Sequence, residues 1–266
     1  MTAAATIIVT GGASGIGLAV VGRILDADPS TTVLALDLAD CPDRRAHSLH
    51  CDLADLDAIA ALELPAHVDG LANVAAVPGT APAAKVLAVN AVGLHALTFR
   101  VLERMRAGAA IVNVASVAAH RNTAPADQVA RLAMARTDAD RAQWLADNPI
   151  GGPAAYDTSK RALLEWTVAL SAALQPRDIR VVSVSPGPTE TPILVDFTAS
   201  MGAEAMARSA ATVGRHGRAA ESAAAVAFLL SKDASWINGV DIPVEGGLLA
   251  ARAAADSPIT LEGLSS

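Results

Sequence analysis

Short apolar runs rich in β-branched residues alternate along this chain with longer stretches of helical periodicity. Ile7-Ile8-Val9 leads into Thr10-Gly11-Gly12-Ala13-Ser14-Gly15-Ile16-Gly17 and then into Leu18-Ala19-Val20-Val21. That order predicts a buried parallel strand, a tight glycine turn and a helix. Asp28-Pro29-Ser30 makes a turn, and Thr31 to Leu36 predicts a second strand ending at Asp37. About nine residues then precede a third strand, His47 to Cys51, so the helix between them is very short or absent. Further on the pattern predicts a helix from Leu53 to about Leu62, a fourth strand from Val68 with its exit turn to Ala76, and a long helix from about Ala83 to Met105. Asn90 interrupts the apolar face of that long helix. A fifth strand at Ala109 to Ala115 ends on Ser116, an apolar helix runs from Ala162 to Leu174, a sixth strand covers Ile179 to Val184, and Trp236 to Val244 supplies a seventh. Alternating strand and helix patterns of this kind predict a single α/β domain, a Rossmann-like doubly wound, seven-stranded, mainly parallel sheet with ligands at the carboxyl ends of the strands.

Composition narrows the picture. With 266 residues, 52% of them hydrophobic, and no Ser/Gly-rich or Pro-rich linker, one large core is expected. The net charge of -7 comes without any basic cluster, which argues against nucleic-acid or anionic-membrane partners. Apolar runs are broken before about 18 residues and the first strand starts close to Met1, so neither a membrane span nor a signal peptide is expected and the location should be cytoplasmic. Cys41 and Cys51 form no CxxC and are read as reduced thiols, while His47 and His50 alternate at strand period without a third ligand, so no metal is expected.

The glycine turn has a chemical use. N-H groups at the start of a helix, with the positive end of its dipole, bind a pyrophosphate without a basic side chain. Asp37 lies 20 residues past Gly17, where an acid accepts from the adenosine ribose hydroxyls and repels a 2′-phosphate. No Arg directly follows it, since Arg44 and Arg45 come later, and Ser14 rather than a basic residue precedes Gly15, so the expected cofactor is NAD rather than NADP. Tyr156, the chain's single tyrosine, stands four residues before Lys160, which puts both side chains on one helix face. A phenol ionises near pH 10, but an adjacent ammonium and a positive nicotinamide ring favour its phenolate, making it a usable base.

Taken in order, the Thr-Gly-x-x-x-Gly-x-Gly turn, the acid after strand two, Asn90, Ser116 and the Tyr156/Lys160 pair resemble the short-chain dehydrogenase/reductase family over nearly the whole chain, from Thr6 to about Gly247. The resemblance implies that Ser116 holds the substrate oxygen, Tyr156 exchanges its proton, and Lys160 lowers the Tyr156 pKa and binds the nicotinamide ribose. Asn90 would order a relay water, unless it is simply a satisfied core amide. For the cofactor it implies contacts from Gly11, Ser14, Gly15, Ile16 and Gly17, from Asp37, from Asp52 and Leu53 at the adenine, from Asn73, and from Pro186, Gly187, Thr189 and Thr191 at the nicotinamide. Two departures stand out. Asn73-Val74-Ala75-Ala76 replaces the usual Asn-Asn-Ala-Gly, and 40 residues separate Ser116 from Tyr156 where about a dozen are common. The extra segment, about 119–152, resembles that of the bacterial 3α-hydroxysteroid dehydrogenase/carbonyl reductase subgroup, where it covers the helix face used for tetramers. A homodimer is therefore expected in preference to a tetramer, with the region from Trp236 to Val244 as its face.

Residues 193–213, with Leu194, Val195, Phe197, Met201 and Met206, form either a substrate lid or a core-packing helix. The expected activity is NAD-dependent interconversion of a secondary alcohol and ketone, a hydroxysteroid or another small hydrophobic carbonyl compound. The alternatives are a 3-oxoacyl-thioester reductase, whose usual NADPH preference Asp37 opposes, and a non-catalytic dinucleotide sensor, which would have no need of Ser116, Tyr156 and Lys160.

Overall fold

A computed structural model of the protein describes residues 4–201, 203–255 and 257. Its strands are β1 (Thr6–Thr10), β2 (Thr32–Asp37), β3 (His47–His50), β4 (Val68–Asn73), β5 (Met105–Val114), β6 (Arg180–Pro186), the short β7 (Thr189–Glu190) and β8 (Gly217–Arg218), and β9 (Asp241–Val244). Seven of them form one sheet in the order β3-β2-β1-β4-β5-β6-β9, every neighbouring pair parallel. The chain leaves β1 toward β2 and β3, then returns to β4 on the other side of β1. That reversal opens a crevice at the carboxyl ends of β1 and β4, the place where doubly wound folds bind ligands.

The helices are α1 (Gly15–Ala27), α2 (Leu56–Ala61), α3 (Ala83–Leu87), α4 (Leu94–Leu102), α5 (Ala126–Ala133), α6 (Asp138–Asp147), α7 (Gly152–Leu174), α8 (Leu194–Met201), α9 (Ala203–Val213), α10 (Ala219–Leu230) and α11 (Leu248–Ala255). Successive strand residues face opposite sides of the sheet and feed two cores. Ile8, Leu36, Ile111 and Val181 pack with Leu97, Leu163 and Trp166 of α4 and α7, while Val9, Ala35, Val112 and Val182 pack with Val20 and Ile24 of α1 and Val226 and Leu229 of α10. Burying each such Val, Leu or Ile contributes about 1.5–3 kcal/mol, which is why these runs are apolar without interruption.

Several expected boundaries move. The long helix predicted from Ala83 to Met105 is α3, a π-helical turn at Ala88–Gly93, and α4, which ends at Leu102. A Cβ on Gly93 would fall 1.7 Å from the Leu53 carbonyl oxygen, so this turn presses backbone to backbone against the chain leaving β3. The fifth strand starts at Met105 rather than Ala109, because Met105 already pairs with Val68 before a register shift. The seventh is only Asp241–Val244, and Trp236 lies outside it, fully exposed. Helix α2 starts at Leu56, not Leu53, because the Asp52 carboxylate first closes a turn on the Ala54 N-H and Asp55 then caps the helix. Ala83–Leu102 has the length and apolar composition of a membrane span, yet most of it is buried inside the fold.

Between Ser116 and Tyr156 lie a 3-10 segment (Val117–Arg121), α5 and α6. Thr137 and Asp140 form a reciprocal capping box at the start of α6. Trp144 is buried and its Nε1-H donates to the Gln128 carbonyl at 2.8 Å. The buried His95 of α4 has Nδ1 2.9 Å from the Ala135 carbonyl and stacks on Trp166 of α7 at 4.2 Å, and the Arg136 guanidinium sits 4.1 Å over the Phe99 ring. This segment thus lies against α4 and α7. Residues 193–213 form α8 and α9, in which Val195 is exposed and Met206 buried. The side chains of Phe197 and Met201 lie outside the described residues.

Candidate active site

The glycine turn closes through local necessity. Gly15 has φ +52°, and a Cβ on Gly17 would stand 2.0 Å from the Gly11 carbonyl oxygen, so no side chain fits there. The Ser14 side chain makes no capping bond, and no acidic residue occupies the first turn of α1. The amide groups at this helix start therefore face the crevice as an anion cradle. Thr10 fixes the turn from behind, its hydroxyl accepting from the Val74 and Ala75 N-H groups at 2.8 and 2.9 Å.

Asp37 ends β2 beside this turn. Its Oδ2 accepts from the Ala13 N-H at 3.0 Å and its Oδ1 from the Leu38 N-H at 2.7 Å, which locks the carboxylate toward the crevice. Asp52 follows β3 and pairs with Lys85 of α3 at 3.1 Å. The Ala54 N-H and, after it, the Lys85 ammonium hold its carboxyl below the usual range.

The catalytic candidates come from β5 and α7. Ser116 caps the 3-10 segment by accepting from the Ala118 N-H at 3.1 Å, and its hydroxyl is hydrogen-bonded to Tyr156. Tyr156 is 6% exposed; burial raises its pKa well above that of free phenol, opposed by the Ser116 hydrogen bond and the nearby charge of Arg121. Lys160, one turn further, is 2% exposed, stands 5.7 Å from the Tyr156 ring centroid and donates to the Val114 carbonyl at 2.8 Å. Burial pulls its pKa down to about 8, which leaves the ammonium charged at neutral pH.

These groups share one crevice of about 320 Å³. Gly11, Ser14, Gly15, Ile16, Gly17, Asp37, Asp52, Leu53, Ser116, Tyr156, Lys160, Pro186, Gly187, Thr189 and Thr191 all line it. Two expected residues do not. Asn73 is buried in the sheet, where its Nδ2 donates to Asn113 Oδ1 at 2.9 Å and to Thr98 Oγ1 at 3.0 Å. Asn90, in the π-helical turn, accepts from the Val77 N-H at 2.8 Å and donates to the Val77 carbonyl at 3.0 Å, so its side chain clamps the loop after β4. Val77, Lys85, Val89 and Pro192 line the crevice without having been expected, and Ile193, the first residue of the expected lid, lines it too. Lys85 carried a signal only in hindsight of its partner Asp52, and the others are ordinary apolar residues. Cys51 is also on the wall; it is a free thiol, and burial followed by the charge of Asp52 pushes its pKa up to about 11, so it stays protonated. Among the described residues no cluster of His, Cys, Asp and Glu suits a metal ion.

Residues 5–126 match a family model described as short chain dehydrogenase, and residues 143–249 match one described as enoyl-(acyl carrier protein) reductase. Coniferyl-alcohol dehydrogenase from Pseudomonas sp. (strain HR199 / DSM 7063) is 36% identical over 91% of this chain and 95% of its own length. The 3-alpha-hydroxysteroid dehydrogenase/carbonyl reductase of Comamonas testosteroni is 28% identical over 91% of this chain and 95% of its own. The crystal structure of the 3-alpha-hydroxysteroid dehydrogenase from Pseudomonas sp. B-0831, complexed with NADH, superposes with a TM-score of 0.80 at 30% identity, covering 95% of this chain and all of that one. With its parallel sheet, glycine cradle and Ser-Tyr-Lys cluster, the chain belongs to the short-chain dehydrogenase/reductase family of oxidoreductases, and relatives that act on alcohols and ketones are among those it resembles.

Proposed function

We propose that the protein is an NAD-dependent dehydrogenase/reductase of small hydrophobic alcohols and carbonyl compounds. The observation that carries this reading is the convergence of Ser116, Tyr156 and Lys160 with the glycine cradle in a single crevice. The residues fit a dinucleotide: an uncapped start of α1 with no acid in its first turn, an oriented carboxylate at Asp37, and the Pro186 to Thr191 turn at the far end. Bound there, NAD supplies or accepts the hydride at nicotinamide C4.

Asp37 would accept from the ribose hydroxyls and oppose a 2′-phosphate by charge. Ser116 would donate to the substrate oxygen. In oxidation, the Tyr156 phenolate takes the alcohol proton as the carbonyl forms; in reduction, the neutral phenol returns it. Lys160 favours the phenolate by its charge, and its N-H groups beyond the one spent on Val114 are available to a ribose hydroxyl. Since the Asn90 side chain is committed to Val77, a relay water would be held through the main chain of its π-helical turn, whose carbonyls depart from the α pattern. The apolar residues of α8 and α9 would close over a hydrophobic substrate, and primary aryl-allylic alcohols belong beside hydroxysteroids on the candidate list because of the similarity to coniferyl-alcohol dehydrogenase. The α5–α6 segment would restrict assembly to a homodimer.

The test is NADH absorbance with a panel of aryl-allylic alcohols, hydroxysteroids, alicyclic ketones and 3-oxoacyl thioesters, on the wild type and on Tyr156→Phe. Turnover of at least one hydrophobic alcohol or ketone is expected, abolished in the variant while NADH affinity stays within about threefold, because only the exchangeable proton is lost. Retention of more than a few per cent of activity by Tyr156→Phe would remove the phenol from this role. Binding of NADH without turnover of any substrate would favour a sensor.

A further inference from the structure

We propose that Arg121 and Asp157 act together as a positioning and charge-balancing pair for the Tyr156 hydroxyl. The proposal rests on the reading of Tyr156 as the proton-exchanging group. Arg121 closes the 3-10 segment that begins at Ser116, and Asp157 follows Tyr156 directly on α7. Their contact is bidentate: Arg121 Nη2 donates to Asp157 Oδ1 at 2.6 Å and Nε to Oδ2 at 3.1 Å. The two side chains are 34% and 17% exposed, less than those of most ion pairs on this surface. A fork of two parallel bonds fixes orientation as well as distance.

The placement gives the pair two effects on one hydroxyl. The 3-10 segment is held at its start by Ser116, which accepts from Ala118, and at its end by Arg121. Ser116 and Tyr156 therefore meet between two fastened points, one on the segment and one on α7. The second effect is electrostatic. The charged groups that act on the phenol are Arg121 from the 3-10 segment and Asp157 from its own helix, Arg121 favouring the phenolate and Asp157 opposing it, while Lys160 of the same helix stands 5.7 Å from the ring centroid. Paired, the two oppose each other at the phenol, with Arg121 acting more strongly than Asp157. Unpaired, either would dominate, with opposite signs.

Opposite signs separate this role from a merely structural clamp. Tyr156 is the only tyrosine in the chain, so the tyrosinate absorbance change reports its ionisation alone. It would be titrated with and without saturating NAD, alongside the pH dependence of kcat, with circular dichroism marking the range in which the protein stays folded. Arg121→Met should move the midpoint up by about one pH unit and Asp157→Asn should move it down by about as much. The double variant should return close to wild type, and Arg121→Lys, which keeps the charge, should shift far less than Arg121→Met. A midpoint that moves the same way in both single variants, or in neither, overturns the proposal. If Arg121→Met does not fold, Asp157→Asn decides alone, since it changes one oxygen to nitrogen: an unchanged or raised midpoint is the negative result. Failure of the underlying reading looks different, because Tyr156→Phe would then keep its turnover whatever the titrations show.

Discussion

Lys160 Nζ donates to the main-chain carbonyl of Val114 at 2.8 Å, two residues before Ser116. The ammonium beside the phenol on α7 is thereby fixed to the strand that leads to the serine. Lys160→Met should lower kcat/KM by about a hundredfold or more, because the charge favouring the phenolate and the orientation of its neighbours go together. It should also weaken NADH binding, measured by fluorescence titration. Lys160→Arg should restore little, since a planar guanidinium cannot occupy a site shaped for a compact ammonium. Full activity in either variant would contradict the assignment.

Asp37 predicts cofactor choice. Asp37→Ser should weaken NAD binding by about tenfold or more, the range for losing hydrogen bonds to a charged acceptor. Discrimination against NADP should fall at the same time, as the repulsion of a 2′-phosphate disappears. A wild-type enzyme that already prefers NADP would contradict this reading.

His95 predicts the pH dependence of stability. It is buried between the Ala135 carbonyl and the Trp166 ring, and burial, with a smaller contribution from Arg136, pulls its pKa down from 6.5 to about 4. As pH falls, the unfolded chain takes up this proton first. The contribution is fully present above about pH 6.5 and is lost on descending toward 4, by roughly 3 kcal/mol. Urea melts across that window should show the slope, and His95→Phe should flatten it; an unchanged slope would mean that His95 titrates normally.

The α5–α6 segment predicts assembly. Ala135 and Arg136 contact His95 and Phe99 of α4, and α5 packs on α7, so the segment occupies part of the face these helices would offer a partner. Light scattering should give a dimer, and a tetramer of the intact chain would refute the cap. Trp144→Ala, which empties a buried indole site, should cost about 3–5 kcal/mol in the melt of the whole domain.

Where one periodicity or one short motif decided the outcome, the sequence was readable: the strands, the glycine turn, Asp37 at the end of β2 and the four-residue step from Tyr156 to Lys160. What escaped it depends on contacts between distant segments. The π-helical turn that holds Asn90 brings Gly93 against Leu53, a contact between distant segments that nothing within the helix announces. Asn90 pairs with Val77, and Lys85 with Asp52, across loops whose course only the fold determines. The segment before Tyr156 is rich in charged residues, and a buried tryptophan, Trp144, anchors it in the core.

The buried amides of the sheet carry a consequence for how this sequence can change. Asn73 binds Asn113 and Thr98; Asn113 Nδ2 donates to Thr167 Oγ1 at 2.9 Å; Thr98 and Thr167 each donate to the carbonyl four residues back in α4 and α7. Each side chain answers a polar group of another, so replacing one by an apolar residue strands its partner at a cost of about 1–3 kcal/mol. Replacing matched partners together removes both the donor and its need. Homologues in which Asn113 has become apolar should therefore change at Asn73 as well as at Thr167, so that the three positions drift together across β4, β5 and α7.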